Sequence, residues 1–550
     1  MDRPVSPAPR ADENAGAAAT APASGRRPWL PTAAGAVTTL ITLIGSWHVS
    51  LWTDEAATIS ASSRSLADLW RMLGNIDMVH SFYYVVMHAW TSVVGDSPFA
   101  LRLPSAVAVG LGAAAVVVLG RRWLGTGPAL IAAGVFTVLP RASWSGIEAR
   151  PYAFSIAFAA WATVVLVTAL DRTVDRRLHG GRVPWWSWAG YVLLLAACVA
   201  DNVYVGLLGA AHLVTVLIDR RLVLADRLRF VLAAALAAVL VSPVVLVSAG
   251  QTGQLGGGEL GVVEFVRNAV VNQWFLGDTP TTTTGVDRTD LSLGDIGTWW
   301  QPAAIAMALL CWALIAVGVV RAVRDRRGTD PAVTGARPLQ LWCLPWIVVP
   351  TVVIGGWSVA VTPMYSARYL TFAAPAVALL VAAGAAALRP AWIRSTALAL
   401  VVVAAVPVLV SQRQLYGKNS SDWVSVASVV EQQATTGEAV YFAPRYPVTG
   451  ELVGQSTRGI AVAYPEAFAG LTDLTLETTP AAADNLTGWS RTLQAVAPQL
   501  AEEQVVWVVQ RIDYPTASAD ADRATFEAAG LRGQLVFSGP LDQVWRYSRS

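Results

Sequence analysis

Apolar positions along this chain gather in runs of about 18 to 22 residues, the length that crosses the hydrocarbon core of a bilayer as a helix. The first covers 31–47, with Trp47 and Trp52 near its end. Others fall near 103–119, 128–145, 151–170, 185–201, 203–218, 228–249, 301–320, 339–360, 369–388 and 392–411. The pattern predicts a polytopic α-helical membrane protein with about eleven transmembrane helices. Between the first two runs the periodicity changes. Residues 63–73 read as an amphipathic helix and 82–94 as a short aromatic apolar segment, both of the kind that lies along a membrane interface.

From about residue 412 the apolar runs shrink to strand length, at 439–442, 459–463, 505–509, 535–538 and 543–547. A helical pattern covers 488–503. Such alternation, punctuated by Gly, Pro and Asp, predicts a C-terminal α/β domain over 412–550. Residues 1–28, rich in Pro, Ala and Ser, show no periodicity and are expected to be a disordered N-terminus, too long and polar for the n-region of a signal peptide. The expected plan is therefore 1–28, then a membrane domain over 29–411 with outer loops at 48–102 and 250–300, then the tail domain.

Composition agrees with this reading. The chain is 54% hydrophobic and only 14% charged, with a mean hydropathy of +0.49, far from a soluble globule. The net charge of +2 says less than where the charges lie, and no nucleic-acid partner is expected. Arg26 and Arg27, Arg121 and Arg122, Arg172, Arg176 and Arg177, Arg220 to Arg229, Arg321 to Arg327, and Arg389 and Arg394 fall at every second connection. By the positive-inside rule these connections and the N-terminus are cytoplasmic, and the tail domain is extracytoplasmic, on a multi-pass protein of the cytoplasmic (inner) membrane. Lys418 is the only lysine; with abundant Arg, Ala, Val and Gly it suggests a high-GC genome such as an actinobacterium's. Cys198, Cys311 and Cys343 all lie in apolar runs and read as buried hydrophobes. Asn485-Leu486-Thr487 matches a glycosylation sequon by spacing, and chance explains it better.

Ionisable residues at a membrane surface mark function, and one side of this chain collects them. Asp54 and Glu55 follow the first span; Asp77, His80 and Arg102 lie in the same outer loop; Glu148, Arg150 and Tyr152 begin one span, and Arg368 and Tyr369 another. Simpler roles exist for each. Asp54 and Glu55 suit a helix N-terminus, Pro151 a first helical turn, and Arg368 a side chain reaching to headgroups. Asp77, His80 and His88 raise a metal site, but their spacing favours packing. A divalent cation held by carboxylates such as Asp54 is left open, and no cofactor is assigned.

The ordered set Asp54-Glu55, Val79-His80-Ser81-Phe82-Tyr83-Tyr84, Leu101-Arg102-Leu103-Pro104-Ser105, Glu148-Ala149-Arg150-Pro151-Tyr152 and Arg368-Tyr369-Leu370 resembles the glycosyltransferase C (GT-C) superfamily. More narrowly it resembles the branch of protein O-mannosyltransferases and aminoarabinose transferases. Two departures, His80-Ser81-Phe82 for His-Pro-Pro and Ile147 for the Gln of Gln-Glu-Ala-Arg, leave the sugar and acceptor open. The resemblance implies inverting transfer of a sugar, mannose or arabinose, from a polyprenyl-phosphate donor to an acceptor hydroxyl of a glycan, lipid or protein, in cell-envelope synthesis. It implies Asp54 as base with Glu55 positioning the acceptor, Arg150, Arg368 and Tyr369 on the donor phosphate, and Asp77, His80, Arg102, Glu148 and Tyr152 orienting substrate. Gly256 to Gly258 and Trp274 would belong to a mobile cover over the site. Two alternatives remain: a flippase or transporter of lipid-linked sugars, which would need polar sites near the bilayer midplane, and a non-catalytic scaffold of cell-wall assembly.

Overall fold

A computed structural model describes residues 27–251, 260–276, 300–325, 335–444 and 456–549. Helix α1 (Leu30–Leu43) leads to three helices in the 48–102 loop, α2 (Thr53–Ser62), α3 (Leu66–Asn75) and α4 (Ser81–Val94). Then come α5 (Pro98–Trp123), α6 (Thr126–Val138), α7 (Pro140–Gly146), α8 (Tyr152–His179), α9 (Trp185–Asp201), α10 (Gly206–Ile218) and α11 (Leu224–Gly250). The helices Gln301–Arg324, Ala336–Ala360, Ala374–Ala386 and Ala391–Ser411 follow, the third of them entered through a tight turn at Ala367–Ala373. Among the described residues, seven helical segments are long and apolar enough to cross a membrane, and four shorter apolar ones stand beside them. This is a multi-pass membrane protein.

The run expected at 128–145 is broken. Leu139 leaves helical geometry, with ψ 116°, immediately before Pro140, because proline disfavours the α conformation in the residue before it. The chain re-enters as α7, which aims residues 147–151 back toward α2. Small residues set the helix spacing in the bundle. At the α1–α5 crossing a Cβ on Gly35 would stand 2.9 Å from the carbonyl oxygen of Gly110, a backbone approach that larger residues would prevent.

The 48–102 loop forms a compact cap. In α3 the faces separate as the sequence pattern predicts: Leu69, Met72 and Leu73 are buried while Leu66 and Trp70 are exposed. Ser65 starts this helix by accepting the Asp68 amide at 3.2 Å, a capping bond that satisfies one free donor of the first turn. Helix α4, expected along the interface, buries Tyr83, Tyr84 and Met87 completely.

The tail is an α/β domain. Its five-stranded sheet runs in the order β2 (Thr472–Asp473), β1 (Ala439–Ala443), β5 (Val505–Arg511), β7 (Asp542–Arg549), β6 (Leu531–Ser538). Strand β1 is parallel to both neighbours and β7 antiparallel to both of its own. Two expectations fail here. Residues 459–463, read as a strand, belong to the helix Arg458–Ala463, with Gly459 and Ile460 buried. A short apolar run carries no period of its own, and Gly459 lies in close contact with the Trp423 ring. The helical pattern at 488–503 yields only β4 (Trp489–Ser490), paired antiparallel with β3 (Leu476–Thr478), a turn at Gln494–Val496 and one helical turn at Ala497–Leu500. Gly488 and Pro498 interrupt it, and Gly488 has φ +78°.

Tail and cap share one apolar core, in which Leu69, Tyr84 and Leu101 join Val426, Phe442, Ile460 and Trp507. Residues 1–26 and Gly256 to Gly258 lie outside the described residues. Trp274, expected in a cover, is 1% exposed and packed in the main core of the bundle.

Candidate active site

Helix α2 is built from small residues, Thr53-Asp54-Glu55-Ala56-Ala57-Thr58-Ile59-Ser60-Ala61-Ser62, and every residue from Glu55 to Ser62 is buried. Short side chains let both the bundle and the tail approach its backbone. On the tail side the Ser60 hydroxyl donates to the Leu486 carbonyl at 2.8 Å, and Arg64 reaches the Asn485 carbonyl. Just before α2, the Leu51 amide donates to the Tyr464 hydroxyl at 2.8 Å. On the bundle side the Thr58 hydroxyl donates to the Ala149 carbonyl at 2.8 Å, and the Ala149 amide donates to Glu55 Oε1 at 3.0 Å. The turn 147–151 is thereby clamped to α2 through both polar groups of one peptide residue.

The two adjacent carboxylates part company. Glu55 is fully enclosed and receives Arg102 on both oxygens, Nε to Oε1 at 2.7 Å and Nη2 to Oε2 at 2.5 Å. Arg102 spends its remaining donors on the carbonyls of Ser46, Val49 and Ser50. This fork pins the chain ahead of α2 onto α5, so the geometry gives both residues an architectural task and leaves no Glu55 oxygen facing open space. Asp54 points the other way and keeps 19% of its side chain exposed. Its Oδ2 accepts from Arg368 Nη1 at 2.8 Å and lies 3.8 Å from Arg150 Nε. Burial works to raise this carboxyl, but Arg368, Arg150 and Lys418 outweigh it and hold Asp54 below the ordinary carboxylate range.

Each arginine is oriented by its neighbours. Arg150 Nη1 donates to the Tyr84 hydroxyl at 3.1 Å, which donates in turn to Asp77 Oδ2 at 2.7 Å. Arg150 Nη2 donates to His80 Nε2 at 2.9 Å. A guanidinium cannot accept, so the His80 proton sits on Nδ1 and the ring is neutral. Burial, then Arg150 and Arg368, depress the His80 pKa well below its usual value. Burial raises Asp77 despite Arg150. Arg368 is stacked within an aromatic collar, 5.9 Å from the Trp52 ring centroid and 5.8 Å from those of Tyr152 and Tyr369. Tyr369 itself lies parallel to Tyr204 at 4.8 Å. The Arg368 side chain is 30% exposed, so charge remains available on the open side.

Residues drawn from position 54 to position 418 thus meet at one end of the bundle: Asp54, Asp77, His80, Arg150, Tyr152, Arg368 and Tyr369 together, Glu55 with Arg102 beneath them, and Glu148 beside Lys418 at 3.8 Å. His88 goes elsewhere, bonding the Ser62 carbonyl at 2.9 Å. The sequence reading did not single out Trp52, Tyr84, Tyr204 or Lys418 as site residues. For Lys418 a signal existed, a lone ammonium in a chain that otherwise uses arginine. Among the described residues no group of three or more His, Cys, Asp or Glu side chains is gathered as a metal site would need.

The arrangement can do three things chemically. A partly exposed carboxylate held ionised can accept a proton from a hydroxyl. Two guanidinium groups beside it can stabilise negative charge on a phosphate. The aromatic collar offers flat surfaces for a sugar ring or an isoprenoid chain.

Comparison with known proteins bears on the fold and the family. Residues 82–246 match the family model described as dolichyl-phosphate-mannose-protein mannosyltransferase. No curated protein matches the chain in sequence. Among solved structures the fold is similar to ArnT from Cupriavidus metallidurans in the apo state, with a TM-score of 0.54 and 13% identity, covering 94% of this chain and 98% of that one. The ArnT structure bound to undecaprenyl phosphate gives a TM-score of 0.53 and 14% identity over the same shares of both chains. This chain therefore shares the fold of ArnT, and its residues 82–246 match the dolichyl-phosphate-mannose-protein mannosyltransferase family.

Proposed function

We propose that the protein is an inverting glycosyltransferase that moves a sugar, mannose or arabinose, from a polyprenyl-phosphate carrier to an acceptor hydroxyl at the outer face of the cytoplasmic membrane. Glycan, lipid and protein acceptors of the cell envelope all fit this reading. The observation that carries it is Asp54: a partly exposed carboxylate between two guanidinium groups, next to an aromatic collar, at the end of an apolar bundle. Asp54 takes the proton of the attacking hydroxyl as the new bond forms at the anomeric carbon. The bond from that carbon to the phosphate oxygen breaks, and the phosphate leaves as an anion that needs no strong acid. Arg150 and Arg368 stabilise it, with Tyr369 and Tyr152 lining its approach and His80 and Asp77 holding Arg150 through direct and Tyr84-mediated bonds. Glu55 and Arg102 hold α2 in place. An N-terminus in the cytoplasm and a tail outside accord with the arginine-rich helix ends opposite the site.

The fold argues against a carrier that moves lipid-linked sugars without making a bond. Such a protein needs its ionisable groups near the middle of the bundle, whereas these sit at one end. The test is transfer of label from a polyprenyl-phosphate sugar to an acceptor extract by the purified protein, with Asp54→Asn as control. Wild-type transfer that the variant loses while it remains folded supports the assignment; an Asp54→Asn rate equal to wild type removes Asp54 as the base.

A further inference from the structure

The segment 412–422 joins the last membrane helix to the tail, and it is anchored at both ends. Gln412 Nε2 donates to the Pro140 carbonyl at 3.0 Å, and Asp422 Oδ2 accepts the amides of Leu541 and Asp542, each at 3.0 Å. The Ser421 hydroxyl donates to the Leu51 carbonyl at 2.6 Å. Midway along, the sole lysine turns inward. Lys418 is completely enclosed, its Nζ 4.4 Å from the centre of the Trp144 ring and 3.8 Å from Glu148 Oε2. Neither oxygen of Glu148 nor the Lys418 ammonium makes a hydrogen bond. An ion pair this bare is a poor device for stability, since burying both charges costs more than a contact of that length returns. The cost makes sense where the charges act on something nearby.

We propose that Lys418 is a positioning residue of the Asp54 site: carried in from the tail linker and held over Trp144, its ammonium favours the charged form of Glu148 and supplies the third cation that keeps Asp54 ready to accept a proton. The inference rests on the reading of the Asp54 pocket as the site of sugar transfer. The ionisable groups within electrostatic range of the pair are Asp54 and Glu55 on α2, Arg102 on α5, Arg141 on α7 and Arg368 in the 367–373 turn. Burial pushes the Glu148 carboxyl up to about 7, with Lys418 opposing it; burial brings the Lys418 ammonium down to about 8, with Glu148 opposing that. Each partner thus favours the charged form of the other, and losing one works against the charge of the other. Because the linker is bonded to the tail sheet on one side and the bundle on the other, the position of the tail is tied to the charge state of the site.

The experiment compares wild type, Lys418→Met, Glu148→Gln and the double variant Lys418→Met/Glu148→Gln, all full-length in detergent or nanodiscs. Each is measured for thermal unfolding, for the pH profile of kcat/KM, and for binding of undecaprenyl phosphate through tryptophan fluorescence. The single Lys418→Met variant is expected to lose at least tenfold in transfer at pH 7. The double variant removes the uncompensated charge and should regain the stability lost by Lys418→Met. It should still show the acid limb of its pH profile displaced upward by about one unit, because Asp54 has lost a cation. A double variant with wild-type stability, rate and acid limb would reduce the pair to packing and overturn the inference. A wild-type protein that binds no undecaprenyl phosphate and transfers no sugar would instead overturn the proposed function, whatever the variants do.

Discussion

The two ends of the helical bundle use the same chemistry to opposite purposes. At the end away from the tail, Arg221 pairs with Asp171 at 3.1 Å with side chains 54% and 23% exposed, and Arg122 joins the same aspartate. Those guanidinium groups are well exposed, and each pair contributes little. At the other end Arg102, Arg150 and Arg368 meet carboxylates in enclosed surroundings, where an ion pair is costly to build and costly to break. Even there the roles divide. Glu55 with Arg102 is sealed and braces α2, while Asp54 with Arg368 is left partly open. Solvent access, more than residue type, separates these three settings.

The largest effect expected on this contrast is on rate. Asp54→Asn should lower transfer by about 10²–10⁴-fold, the usual worth of a general base, a loss measured on protein that stays folded although its unfolding temperature falls, because Arg368 loses its carboxylate partner. Second comes scaffold without direct chemistry: Glu55→Gln should destabilise the protein by about 3–5 kcal/mol by leaving Arg102 buried and unpaired, read by thermal unfolding in detergent. An equally stable Glu55→Gln variant would show that the sealed pair is not the brace described. Third, Arg368→Lys replaces a fork stacked among three rings with a point charge, and should raise the donor KM or lower kcat by more than tenfold. If donor use is unchanged, Arg368 only reaches toward headgroups.

A fourth prediction concerns pH. The Glu148 carboxyl is raised by burial to about 7 from an ordinary value of 4.5. Between those values the folded state binds more protons than the unfolded one, so this group makes stability fall as pH rises from about 4.5 to 7. Glu148→Gln should flatten that part of the stability profile; an unaltered slope would show that Glu148 is not the group responsible. Asp54 has the opposite sign. Its depressed carboxyl favours the fold above the unfolded pKa, and that contribution is lost as pH falls through its lower folded value. The smallest effect closes the comparison: Arg221→Ala at the far end should shift stability by no more than about 1 kcal/mol and leave transfer unchanged.

Much of this molecule was legible in the amino-acid order. Long apolar runs specify membrane helices because a bilayer leaves the backbone no other way to satisfy its hydrogen bonds. The tail announced itself by the change to short runs, though 459–463 and 488–503 were misjudged, since runs of that size lack a period of their own. Asp54, Arg150 and Arg368 stood out because ionisable groups are rare beside membrane helices. Sequence could not separate Asp54 from its neighbour Glu55: consecutive residues on a helix point about 100° apart, and only the packed surroundings say which side is sealed. Nor could it assign a place to Lys418, which is far from α2 along the chain and reaches the site because the tail linker folds back over α7. What the order of residues determined is where the chain meets lipid and water. Which charges are shut in and which are left open is decided by packing, because desolvation depends on every neighbour at once.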